Sequence, residues 1–86
     1  MTYDADCIEQ IIDYVWNNKA IMHEAASICT YRDECRPTDY EAACTAAMII
    51  FNAFGKRWNK HSDVEMLFVI DSELLECIEM YEAQYI

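Results

Sequence analysis

Apolar residues recur every three or four positions through the first thirty residues, which is the period of one face of an α-helix. The pattern predicts an amphipathic helix over about residues 5–30. Lys19 interrupts the apolar side directly after Asn17 and Asn18, so a break there is the alternative, and a continuous helix is preferred. The apolar side comprises Cys7, Ile8, Ile11, Ile12, Val15, Met22, Ala25, Ala26 and Cys29.

The most apolar part of the chain lies between residues 42 and 54, where only two positions are polar. Thr38 followed by Glu41 matches a capping box, in which two side chains satisfy the unbonded N–H groups at a helix start. We therefore predict a second helix over about residues 38–58. Because it is apolar on nearly every side, we expect it to be the central helix of the fold.

The last segment has a third helical pattern over about residues 62–84, again after a capping pair, Ser62 and Glu65. The run Met66–Ile70 also resembles a short buried strand, because it is β-branched and aromatic. A helix is preferred because the apolar spacing of three and four extends much further. That spacing joins Leu67, Ile70, Leu74, Cys77, Ile78, Tyr81 and Tyr85.

Short connections at residues 31–37 and near residue 60 place consecutive helices antiparallel. The predicted fold is all-α: one domain over residues 1–86, folded as a small three-helix up-down bundle. It becomes a four-helix bundle if the first helix breaks near Asn17-Asn18. One glycine and one proline in 86 residues, 55% of them hydrophobic, fit such a bundle better than a β-sandwich or a disordered chain.

Localisation follows from what the sequence lacks. No early segment resembles a signal peptide, and no apolar run approaches the about 20 residues that a bilayer requires. The five cysteines are an odd number, and most lie in apolar helical patterns, so we interpret them as reduced thiols. We expect a cytoplasmic protein.

The charge is strongly acidic, with a formal net value of −10. Residues 62–86 contain seven acidic residues and no Lys or Arg. Nucleic acids and anionic membranes both bind basic surfaces preferentially, so we expect this acidic protein to contact neither directly. The expected partner is a protein that is basic or that binds nucleic acid.

The third helix supplies the predicted partner-binding surface. Its face away from the core mixes acidic and large apolar residues, which is unusual for a solvated face. One interpretation is that a neighbouring helix covers the apolar members. The other is an acidic-rimmed apolar patch that binds a partner or a second copy as a homodimer. The predicted partner-binding residues are Glu65, Phe68, Val69, Glu76, Glu79 and Met80.

A nucleic-acid mimic is a further alternative for this helix, with carboxylates imitating backbone phosphates. The acids at positions 73, 76, 79 and 82 step by three residues, and such steps drift around a helix by about 60° each. They therefore spiral and do not form one row, which weakens the mimic interpretation.

Half of the six Lys and Arg residues occur in one short segment around Trp58. Lys56, Arg57 and Lys60 could hold a phosphate while Trp58 stacks on a base, which would make a nucleotide-binding module. The preferred alternative is that these cations complement the negative end of the central helix dipole and that Trp58 covers one end of the core. Gly55 decides between a helical last turn and a free loop.

Candidate chemistry is otherwise sparse. No Cys or His spacing matches a metal site, so no metal and no cofactor is expected. Cys35 is interpreted as an exposed thiol and His23 as a partly buried structural residue. No motif indicates a catalytic group, so we expect a non-enzymatic interaction protein, an adaptor or inhibitor of the kind that phages and mobile elements direct at host machinery.

Overall fold

A computed structural model describes residues 5–85, and these form four α-helices. They are α1 (Ala5–Trp16), α2 (Lys19–Asp33), α3 (Asp39–Phe54) and α4 (Asp63–Tyr85), with a short 3-10 helix (Gly55–Arg57) between the last two. The predicted small all-α bundle is confirmed. The run Met66–Ile70 lies within α4, so the helical interpretation of this segment was correct.

The preferred continuous first helix is wrong, and the alternative break near Asn17 and Asn18 is correct. Asn18 has extended backbone angles (φ −116°, ψ 103°), and its side chain accepts a hydrogen bond from the N–H of Ile21 at 3.3 Å. The Asn17 amide donates to the carbonyl of Asp13 at 2.8 Å. Both side chains satisfy backbone groups at a helix end, so this pair stops α1 and caps α2.

Thr38 caps α3 as predicted. Its hydroxyl oxygen accepts from the N–H of Glu41 at 3.2 Å, and the hydroxyl donates to the Glu41 carboxylate at 3.0 Å. At the other end, Gly55 has φ 55° and ψ −131°, and its N–H donates to the carbonyl of Phe51. α3 therefore ends at Phe54, short of the predicted end at residue 58, because only glycine adopts this backbone region without strain.

The core lies between α3 and its neighbours, and α3 packs against each of the other three helices. Alanines on α3 let those helices approach closely, as expected of the central helix. Five residues of α3 are fully buried, whereas in α4 only Met66 and Ile70 are, among the residues described. The buried residues of α3 are Ala42, Ala43, Ala46, Ala47 and Ile50.

Contacts at the helix ends give the directions of the helices. The thiol of Cys7, early in α1, donates to the carbonyl of Gly55 beyond the end of α3 at 3.8 Å, so α1 and α3 are antiparallel. The C-terminal ends of α2 and α4 meet, because Tyr85 donates to Glu34 at 3.1 Å, so these two helices are parallel. None of the described helices is long and apolar enough to cross a bilayer.

Candidate interaction surfaces

The outer face of α4 has a row of large apolar side chains. Val64, Phe68 and Leu75, which we call the α4 stripe, are 81%, 72% and 57% exposed. Steps of four and seven residues place the three side chains on one side of the helix, opposite the buried Met66 and Ile70. No described helix covers Phe68 or Leu75, so the interpretation that a neighbouring helix buries these residues is excluded for them.

The structure places the predicted partner-binding residues on two sides of α4. Glu65, Glu76 and Glu79 are exposed beside the α4 stripe, and Val69 is half-buried. Met80 is 61% exposed, but it borders a groove with Tyr31. It lies about 18 Å along the helix and about 120° around it from Phe68, because twelve residues separate the two.

Val64 and Leu75 are members of the stripe that the predicted partner-binding residues did not include. The signal was present in the sequence, since residues 64, 68 and 75 share one helix face at spacings of four and seven. Met80 was grouped with Phe68 because both avoid the core, although that criterion covers a wide arc of the helix.

The electrostatic setting of the stripe is acidic and uncompensated. α4 has seven carboxylates and no Lys or Arg. Over residues 5–85, the one ion pair joins Arg32 to Asp33 at 3.2 Å. The acids of α4 therefore keep their field toward solvent, where it acts on charged partners.

One acid of α4 also approaches an acid of α2. A hydrogen bond with Asp71 raises the pKa of Glu24, and partial burial and repulsion by Asp71 raise it further, while His23 opposes the shift. Two carboxylates in contact cannot both ionise without repulsion. The α2–α4 contact is thus weakened at this point at neutral pH.

One end of the core is covered by the basic segment predicted as a possible phosphate site, which contains Lys56, Arg57, Trp58 and Lys60. The three cations are exposed, whereas Trp58 is partly buried and packs against the core. Its indole N–H donates to the sulfur of Met66 at 3.1 Å, and the ring of Tyr14 meets it edge-on at 5.9 Å. These internal contacts give the nucleotide alternative little support and favour Trp58 as a cover of the core.

A groove along α2 brings together cations that are distant in sequence. Trp16, Lys19, His23 and Arg36 line a depression of about 410 Å³ with Met22 and Pro37. A second depression of about 390 Å³ shares His23 and Arg36 and extends to Tyr31. We call the two together the α2 groove. His23 is exposed here, so its prediction as a partly buried residue is wrong.

Three tyrosines join the C-terminal ends of α2 and α4. The rings of Tyr31 and Tyr81 meet edge-on at 6.5 Å, and those of Tyr81 and Tyr85 lie 4.7 Å apart. The hydrogen bond to Glu34 raises the pKa of the Tyr85 hydroxyl. This contact anchors the end of α4, which has no fully buried residue after Ile70 in the part of the chain described.

Most of the cysteine side chains pack in or against the core. Cys29 is buried and donates to the Thr45 hydroxyl at 3.4 Å, while Cys35 is exposed as predicted. Burial and the nearby Glu73 raise the pKa of Cys77, so its thiol stays protonated at neutral pH. Among the described side chains, no three His, Cys, Asp or Glu residues are grouped to hold a metal ion.

Comparisons with protein-family models, curated proteins and solved structures give no match to this chain. We therefore propose a function from the surfaces described above.

Proposed function

We propose that this protein acts by binding another protein, with the α4 stripe inserted into an apolar groove of the partner that is flanked by Lys and Arg. The observation that supports this most is the exposure of Val64, Phe68 and Leu75 in one row on a helix with seven acids and no base. Several large apolar side chains exposed on one side of a helix are typical of binding surfaces, and here only Asp71 lies between Phe68 and Leu75 on that side.

The spacing of the stripe fits helix-in-groove recognition. Such helices use anchors about one turn apart on one face, and Val64 and Phe68 are one turn apart, with Leu75 two turns further. The stripe spans about 16 Å along the axis. Apolar anchors supply affinity, whereas the surrounding carboxylates speed the encounter with a basic partner.

A different protein is favoured over a second copy as the occupant. Two α4 stripes in contact would bring the acids beside each stripe, such as Asp71 and Glu79, against those of the other copy, and like charges across an interface oppose association. The homodimer therefore has less support than a basic partner. The nucleic-acid mimic also has less, because the apolar row interrupts the outer carboxylates.

The proposed role is that of an adaptor or inhibitor acting in the cytoplasm. A cytoplasmic setting agrees with the thiols of Cys29, Cys44 and Cys77, which form no disulfide in the part of the chain described and are at least partly buried. Binding alone is sufficient for such a role.

The test compares Phe68→Ser with the matched control Tyr40→Ser as baits in cell lysate. Tyr40 is an exposed aromatic residue on α3, 65% exposed. We expect the wild type and Tyr40→Ser to retain the same basic protein and Phe68→Ser to lose it, with all three melting cooperatively at similar temperatures. Equal retention by Phe68→Ser, or loss of its cooperative melt, would show that the stripe is not the binding surface.

Light scattering across a concentration series tests the homodimer. We expect a monomer mass at every concentration in moderate salt. A dimer that Phe68→Ser abolishes and Tyr40→Ser preserves would assign the stripe to a second copy and overturn the proposal of a different partner.

A further inference from the structure

We infer that the α2 groove is a second binding site, which takes an acidic peptide segment. Lys19 and Arg36 line it as cations, Trp16 and Tyr31 mark its two ends, and His23 lies between them. No residue of α4 lines it, so this site is separate from the α4 stripe and independent of its function.

Its charge is opposite to that of the rest of the molecule. Neither Lys19 nor Arg36 has a carboxylate within ion-pair distance among residues 5–85, where Arg32–Asp33 is the single pair. Asp39 is the one acid among the lining residues. For comparison, a depression beside Tyr40 is lined by Asp6, Glu9 and Asp13 and has no cation. In a chain of net charge −10, two unpaired cations in one groove form a local site for anions.

The position of Lys19 is unfavourable for the helix that contains it. Lys19 is the first residue of α2, and the first turn of α2 has no acid. The N-terminal end of a helix dipole is positive, so a cation there destabilises the helix and an anion stabilises it. Helix stability therefore does not explain Lys19. In the groove, Lys19 and this helix end attract the same anionic group.

The shape of the groove favours a peptide over a small anion. From Lys19 to Tyr31 the two depressions follow α2 for about 18 Å, which matches about five or six residues of extended chain. The wall includes Met22, Pro37 and the two exposed aromatic rings, 51% and 43% exposed for Trp16 and Tyr31. Carboxylates would pair with Lys19 and Arg36 while apolar side chains lie on these surfaces.

The experiment measures fluorescence anisotropy of a labelled hexapeptide of glutamate and leucine titrated with the protein. The test variant is Lys19→Gln/Arg36→Gln. The control is Arg57→Gln/Lys60→Gln, which removes one Lys and one Arg from the segment that follows α3, where neither residue lines the α2 groove. Both doubles change the net charge equally. We expect Kd to rise about tenfold or more in the test variant and to change less than about twofold in the control.

Further arms separate the ligand classes. We expect a peptide with lysine in place of glutamate to show no binding, and inorganic phosphate at millimolar concentration to leave the peptide bound. If both double variants weaken peptide binding equally, the rise in Kd would come from net charge alone and the inference would be overturned. Displacement by phosphate would assign the groove to a small anion. The oligomeric state without peptide is a last arm. If the wild-type protein self-associates and only the test variant is monomeric, the groove would be assigned to a second copy.

Discussion

α3 and α4 are both rich in apolar residues, yet they meet different surroundings. α3 is covered by three helices and buries mainly alanines with Ile50, whereas α4 has neighbours on one side and turns Phe68 and Leu75 outward. The apolar residues of α3 surround the helix with few charges between them, while those of α4 alternate with seven acids. Apolar content alone thus does not predict burial, and the charges between the apolar positions distinguish the two cases.

The sharpest test of this comparison truncates one aliphatic side chain in each helix. Ile50→Ala in α3 removes buried methyl groups and leaves a cavity, so we expect a loss of about 2–5 kcal/mol in the free energy of unfolding. Leu75→Ala in α4 removes mostly exposed surface, and a change within about 0.5 kcal/mol is expected. Urea denaturation of both variants measures the difference. Equal losses would show that Leu75 is packed and would remove the contrast between the helices.

The end of α3 gives the next largest effect. Gly55→Ala forces an L-residue to φ 55°, and we expect a loss of about 1–2 kcal/mol from backbone strain. The added Cβ meets no atom within 4 Å, so steric overlap contributes nothing. Urea denaturation again gives the value, with Asn52→Ala, an exposed change in the same helix, as a near-neutral control. A stable Gly55→Ala variant would mean that the connection to α4 adopts another conformation readily.

The start of α3 depends on its side-chain cap. Thr38→Ala removes the acceptor for the Glu41 N–H, and a loss of about 1 kcal/mol is expected. Thr38→Ser keeps the hydroxyl and should retain most of that stability. If the Ser and Ala variants have the same midpoint in urea, the methyl group of Thr38 matters and the cap does not.

The smallest effect concerns the contact between α2 and α4. Because the pKa of Glu24 is raised in the folded state, its contribution to stability is full at acid pH and is lost as the pH rises through that pKa. Glu24→Gln removes the repulsion from Asp71, so we expect a gain of a few tenths of a kcal/mol at neutral pH, held small by solvent screening.

Thermal melts of Glu24→Gln and the wild type at neutral pH and at about pH 4 measure this gain in stability. The gain should shrink at the lower pH, because Glu24 becomes protonated in the wild type. Glu76→Gln on the exposed face of α4 is the control for net charge. A gain that is equal at both pH values, or equal in the control, would contradict repulsion between Glu24 and Asp71.

The sequence was sufficient for the helical class and for the central position of α3, because periodicity and Thr38 act locally. It was misleading at Asn18, where a long apolar period outweighed the tendency of asparagine to end helices. The α4 stripe was half found, since helix geometry fixes which residues share a face but the neighbours fix which face is covered. Met80 shows this limit, because its surroundings come from Tyr31 on another helix.

The two groups of cations also differ in how far the sequence could predict them. Lys56, Arg57 and Lys60 are adjacent in sequence and surround a tryptophan with internal contacts. Lys19 and Arg36 are separated by a whole helix and become neighbours only through the turn after α2. Local clustering was visible in the chain, whereas the α2 groove depends on tertiary structure.

The two tryptophans lie in different environments, and this gives the protein two built-in optical probes. Trp16 is half in water, while Trp58 is partly buried with its N–H on the Met66 sulfur. Indole emission is redder and more open to collisional quenching in water, so acrylamide should quench Trp16 first and leave a bluer component from Trp58. One spectrum would then separate events at the α2 groove from events around Trp58, without any added label.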